Sequence, residues 1–179
     1  MDLRPASLAD LAAIRALIDR SVRSLSVGFN SPREIESGLR FVFGPDTQLI
    51  VDGTYFVIDA PDGLAAAGGW SRRRTLYGGD QFQDAPAPLL NPATDPAKIR
   101  AFFVDPAYAR RGLASRLYAH CEDAARREGF ASFELGATLP GVPLYTALGF
   151  AAAGRIDARL PDGTTLPIVR MFRSIAERR

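Results

Sequence analysis

Between Val104 and Tyr118 the chain reads VDPAYARRGLASRLY. A strand that stops at Asp105, a turn, and a helix opening on Gly112 and Ala114 would leave several backbone N–H groups unpaired and pointing the same way. That is an anion site. Arg110 and Arg111 add positive charge, and the ligand such a loop suits is a diphosphate. The same small residues would also serve close packing at a helix start, so composition alone leaves both readings open. The segment lacks the G-K-[ST] ending of a Walker loop and the G-x-G-x-x-G of a dinucleotide fingerprint.

The elements that must position this loop follow from periodicity. Ile99–Val104 (IRAFFV) is a dense apolar run and reads as a central strand. Leu113, Leu117, Cys121 and Ala125 recur at every fourth position, which predicts a helix from Arg110 or Gly112 to Glu128, closed by Gly129. Ala131–Leu135 reads as the next strand and Pro143–Leu148 as a short helix. A β-rich segment from Phe150 to Phe172 turns at Asp162-Gly163.

In the first half, Asp2–Pro5 reads as a short strand. A helix should run from Leu8 to Ser21, capped by Ser7 with Asp10 three residues on. A second helix starts at the Ser31-Pro32 cap with Glu34 three residues later, and ends near Gly38 or Phe43. Thr54–Ala60 and Leu64–Arg72 form a hairpin about Asp62-Gly63. Residues Thr75 to Lys98 break the pattern and read as a long loop, fit to line a pocket or form an interface. Together this is α/β: a mixed sheet flanked by helices, with no linker to divide residues 1–179 into more than one domain.

The composition is that of a globular chain: 179 residues, 47% apolar and 23% charged, with a net charge of +2. There is no basic tail and no zinc-finger spacing to suggest nucleic acid, and Arg72-Arg73-Arg74 reads as a solvated face. One cysteine, Cys121, excludes an internal disulfide and suits a reducing, cytoplasmic setting. No stretch has the length of a membrane span, and the N-terminus does not read as a secretory signal. A single histidine and a single cysteine argue against a transition-metal site. His120 falls off its helix's apolar stripe and should be at the surface. Cys121 falls on that stripe and should be a buried apolar residue.

The Val104–Tyr118 segment resembles the acyl-CoA-binding motif of the GNAT superfamily of N-acetyltransferases, R/Q-x-x-G-x-G/A after a strand with a V-x-P-like end. Here it falls on Ala109, Arg110, Arg111, Gly112, Leu113 and Ala114. Gly112 and Ala114 match, whereas Ala109 replaces the usual arginine or glutamine and passes its task to Arg110 or Arg111. LYTALGF, Leu144–Phe150, resembles the family's Y-x-x-x-G-F signature on Tyr145, Gly149 and Phe150.

The resemblance implies a GNAT-like acyl-CoA acyltransferase fold and an acetyl-CoA-dependent N-acetyltransferase with a primary amine as acceptor, a small molecule in preference to a protein. A non-catalytic acyl-CoA-binding module on the same fold is the alternative. It implies that the central strand splays from the next. The backbone of Phe103 and Val104 would then meet the pantetheine arm, and Ala109–Ala114 would wrap the pyrophosphate. A homodimer through the C-terminal strands or the long loop is also compatible with it. The implied reaction is direct: the amine attacks the thioester carbonyl, an N–H near Val104 meets the oxyanion, and Tyr145 protonates the sulfur. Glu134, Asp80 and Asp105 are the carboxylates that could serve as base. Trp70, Tyr77, Phe82 and Tyr55 are the aromatic residues that could line the acceptor pocket.

Overall fold

The computed structural model describes residues 1–175. Seven strands form one sheet: β1 (Leu3–Pro5), β2 (Tyr55–Ala60), β3 (Gly63–Ser71), β4 (Ala97–Val104), β5 (Ser132–Thr138), β6 (Ala151–Arg159) and β7 (Thr165–Ser174), in the spatial order β1-β2-β3-β4-β5-β7-β6. Among the described strands, only β4 and β5 pair in parallel. The crossover between them is the helix α4 (Leu113–Arg127), as a parallel connection requires. The mixed sheet and flanking helices match the fold class expected.

The two long helices bury the stripes their sequences carry. α1 (Leu11–Leu25) places Ile14, Leu17, Ile18 and Val22 against Val57, Tyr55 and Leu64 on one face of the sheet. α4 places Leu113, Leu117, Cys121 and Ala125 against Phe133 and Leu135 on the opposite face. The valine, leucine and isoleucine side chains among them contribute about 1.5–3 kcal/mol each when fully buried. α2 (Pro32–Phe41) begins with the expected cap: Ser31 Oγ accepts from the Glu34 N–H, and the Glu34 carboxylate accepts from the Ser31 N–H at 2.6 Å. α5 (Val142–Ala147) is the short helix that precedes Gly149.

Some boundaries differ from the sequence-based expectation. Leu8–Asp10 is a single 3-10 turn, and α1 continues to Leu25. A helix the periodicity does not announce, α3 (Thr47–Val51), is five residues long and begins where the Asp46 carboxylate accepts from the Leu49 N–H. β4 begins at Ala97, and β5 runs on through Gly136 to Thr138. Arg72 and Arg73 are not a solvated face. Arg72 pairs with Glu128 and Arg73 with Asp52, so they tie the strand end to the C-termini of α4 and α3.

The feature that makes a site is the seam between β4 and β5. The two strands pair only at Ala97–Phe133 and Lys98–Glu134. On its other side β4 follows β3, but with one residue too many: Gly69 faces Arg100 and Ala67 faces Phe103. Ala101 sits in the resulting bulge at φ 54, a conformation rare for residues with a side chain. Gly68 stands opposite the bulge because a Cβ there would fall 2.4 Å from the Phe102 ring. The bend carries the end of β4 away from β5, and the edges from Ile99 and Leu135 onward no longer meet.

Candidate active site

The open seam is a cleft of about 830 Å³, counted out to its mouth. It passes between the strands from one face of the sheet to the other. Ala114, Leu144 and Tyr145 line it on the side of α4 and α5, while Val42, Phe43, Tyr77 and Ile168 line it on the side of α2. A second, apolar opening at its mouth reaches the end of α1 along Val22 and Leu25 and shares the walls formed by Phe103, Val104 and Leu144.

At the α4 end of the cleft the chain makes two left-handed steps, Arg110 at φ 62 and Gly112 at φ 78. Gly112 is the N-cap of α4, and a Cβ there would meet nothing within 4 Å. Among the described residues, the N–H groups from Arg110 to Ser115 have no partner within the chain. The N–H of Ala109, in contrast, is spent on Pro106 O at 3.3 Å, so the row of donors begins one residue later than expected. Neither Arg110 nor Arg111 forms an ion pair among the described residues, and the Arg111 guanidinium lies over the Tyr108 ring. Converging free N–H groups, an αL-rich turn and two free guanidinium groups fit a diphosphate.

Tyr145 lies along the wall of the same cleft, packed between Phe102 and Phe150 at centroid distances of 6.3 and 5.8 Å. Gly141 leaves it room, since a Cβ there would stand 3.2 Å from the ring. Its hydroxyl bonds no other group among the described residues. Burial, with a smaller contribution from Cys121, pushes its pKa well above the ordinary phenol value, so the proton is held throughout the neutral range. Cys121, behind it, is fully buried, and desolvation likewise raises its thiol pKa. That is the inert, packed cysteine expected. His120 is exposed apart from an edge contact on Phe56.

The structure does not bring the three carboxylates to the reaction path. Glu134 is buried between Lys98 and Arg170 and pairs with both. Desolvation would raise its pKa, but the hydrogen bonds from Lys98 and Arg170 outweigh it and leave the value lowered. A carboxylate so held is a poor proton acceptor. Asp80 lies in a separate surface opening, where its Oδ1 accepts from the N–H and hydroxyl of Thr47 at 2.9 and 3.0 Å. Asp105 caps the turn that follows β4, accepting from the Ala107 N–H, and pairs with Arg20 at 2.8 Å. Among the described residues, no carboxylate and no histidine lines the cleft.

The backbone around Phe103 and Val104 lines the cleft as expected, but the Val104 N–H donates to Ser21 Oγ at 3.3 Å, a long bond. Of the four aromatic residues expected to line an acceptor pocket, Tyr77 alone reaches the cleft; its ring lies tilted against Phe82 at 5.2 Å, and Phe82 is itself outside. Trp70 is core, its ring edge-on to Phe130. Tyr55 is core too, and its hydroxyl donates to Ala101 O at 2.9 Å, bracing the bulge.

Sequence reasoning passed over Arg100 and Asp46. They form a buried ion pair at 2.9 Å, with side chains 3% and 2% exposed. Arg100 also donates to the carbonyls of Thr75 and Gly78, at 3.1 and 2.6 Å. Through these bonds it fixes Leu76–Gly79 as a strap over the cleft. An arginine inside the apolar run IRAFFV was the available signal, since a charge there must find a partner.

Comparison with known proteins agrees with this geometry. The family model described as Acetyltransferase (GNAT) family matches residues 38–150. A phosphinothricin N-acetyltransferase of Streptomyces viridochromogenes is 26% identical over 165 residues, covering 88% of this chain and 78% of the relative. A GCN5-related N-acetyltransferase from Rhodopseudomonas palustris superposes with a TM-score of 0.71 at 17% identity, over 97% of this chain and 94% of the other. A Salmonella typhimurium structure solved with its cofactor acetyl-CoA gives 0.62 at 18% identity, over 100% and 96%. The family match spans the sheet seam, the turn before α4 and the Tyr145 helix together, and the chain belongs to the GNAT family of acetyltransferases.

Proposed function

We propose that the chain, as one catalytic domain in a reducing, cytoplasmic setting, transfers the acetyl group of acetyl-CoA to the primary amine of a small molecule. The observation that carries this reading is the open β4–β5 seam. It has a row of unpartnered N–H groups at one end and the Tyr145 hydroxyl along its wall. The similarity to a phosphinothricin N-acetyltransferase supports a small-molecule acceptor.

Acetyl-CoA supplies an activated acyl thioester. Arg110–Ser115 would hold its diphosphate through backbone N–H groups, with Arg110 and Arg111 adding charge. The unpaired edges of β4 and β5 offer backbone hydrogen bonds to an extended arm. The C–N bond forms as the C–S bond breaks. One amine proton passes to solvent, and Tyr145 gives its proton to the departing thiolate. Tyr145 suits that task because burial keeps it protonated. With no carboxylate on the cleft wall among the described residues, the amine arrives already neutral or loses its proton through water.

The test is acetyl-CoA binding by calorimetry, in wild type and in Gly112→Asp and Ala114→Asp. The expected result is micromolar binding by wild type and none by either variant, since a carboxylate in the turn repels the diphosphate. Absence of binding to wild type overturns the reading.

A further inference from the structure

The acetyl-transfer reading puts the acceptor in the half of the cleft on the α2 side of the sheet, away from Tyr145. Its walls are Val42, Phe43, Leu76, Tyr77, Phe103 and Ile168, and the Phe43 and Phe103 rings meet edge to face at 6.4 Å. Among the described residues, the one charged side chain on the cleft wall is Arg100. Its terminal nitrogens are taken by Asp46 and the carbonyls of Thr75 and Gly78. Lys98, two residues before Arg100 on β4, is taken by Glu134. Among the described residues, then, neither a cation nor an anion entering this chamber finds a free countercharge, and desolvating either without one is costly. Aromatic edges and aliphatic walls, in contrast, reward an apolar body directly.

We infer that the acceptor is a primary amine carried on an apolar, aromatic body and bound in its uncharged form, and not a polycation or a zwitterionic amino acid. This rests on the acetyl-transfer reading and narrows it to a substrate class. The Tyr77 hydroxyl, which bonds no other group among the described residues, supplies a neutral hydrogen-bond partner in that chamber. The strap Leu76–Gly79, pinned by Arg100, is the specificity element, because it brings both Leu76 and Tyr77 to the wall.

The experiment measures acetyl-CoA affinity by calorimetry. In the same preparation it follows thiol release with phenethylamine, spermidine, kanamycin and phosphinothricin. The expected result is a kcat/KM for phenethylamine roughly tenfold or more above each of the others, rising with pH in step with the neutral amine fraction. In Leu76→Asp, which adds a carboxylate to the chamber, the preference for phenethylamine over spermidine should narrow by roughly tenfold. Protein that binds acetyl-CoA but acetylates spermidine, kanamycin or phosphinothricin faster overturns the substrate class and leaves acetyl transfer standing. Faster turnover of spermidine would direct attention to the acidic opening of Asp46, Asp80 and Asp84. An unchanged preference in Leu76→Asp that still binds acetyl-CoA overturns the role of the strap. Failure of wild type to bind acetyl-CoA overturns the transfer reading itself.

Discussion

Lys98 of β4 and Glu134 of β5 face each other at the last register at which the two strands pair, and their side chains form a buried ion pair there. Beyond that point the strands part. The pair therefore fastens the closed end of the cleft, with Arg170 of β7 holding the other side of the same carboxylate.

Glu134→Ala should accordingly destabilise the fold by about 3 kcal/mol, because it leaves Lys98 buried without a partner. Glu134→Gln should cost less. Urea unfolding measures both. The Glu134 pKa is lowered on folding, so its stabilisation is complete above the ordinary carboxylate range and is lost as pH falls through the depressed folded value. Stability should therefore fall less steeply with acidification in Glu134→Gln than in wild type. If Glu134 were instead the general base, Glu134→Gln would abolish the ascending limb of the pH–rate profile.

Tyr145→Phe removes one oxygen and leaves the ring between Phe102 and Phe150. The expected outcome is a fall in kcat of about a hundredfold with acetyl-CoA affinity unchanged, as for loss of a general acid. Steady-state kinetics with calorimetry on the same protein separates the two. The Tyr145 pKa is raised on folding, so the contribution of this group to stability is complete below the ordinary phenol value near 10 and declines as pH rises above it. Tyr55, also buried and raised, acts in the same direction. Alkaline unfolding should begin later in Tyr145→Phe than in wild type of matched neutral stability.

Gly112 and Arg110 both stand at positive φ, but only one of them is glycine. Gly112→Ala meets no steric obstacle and should cost about 1–2 kcal/mol from backbone conformation alone. Arg110→Gly relieves the same kind of strain. It should leave stability unchanged or slightly higher while weakening acetyl-CoA binding through loss of a cation. Thermal melts and calorimetry read the two effects independently.

Asp46→Ala should cost about 3–5 kcal/mol, since the Arg100 guanidinium is then buried without its countercharge. Burial already draws the Arg100 pKa down, with Asp46 opposing. At temperatures where the variant stays folded, KM for the amine should rise more than KM for acetyl-CoA, because the strap bounds the acceptor half of the cleft.

Much of the donor end of the site was legible in the sequence because local rules govern it. Gly112 begins α4, Gly129 follows it at φ 89, and Ser31 with Glu34 starts α2. Beyond Tyr77, which does reach the wall, the rest of the cleft was not legible, since it depends on pairings distant in the chain. Asp46 finds Arg100 across 54 residues and Lys98 finds Glu134 across 36, and no periodicity encodes either. Trp70 and Tyr55 read as pocket aromatics because a strand pattern gives alternation without saying which face meets a helix. Glu134 read as an available carboxylate because its two cationic partners come from different strands. The five residues of α3 are too few to show a helical period at all.

The Ala101 bulge gives the opening of the sheet an arithmetic origin. Three residues of β4 span the distance that two residues of β3 cover. Deleting Ala101 would equalise the count and let β4 run straight alongside β5, so the most regular sheet this sequence could form is one with nowhere to put a substrate. A single-codon deletion would thus close the seam and leave an ordinary α/β domain. The opening is held as a miscount in the backbone, and the unpaired edges of β4 and β5 follow from it.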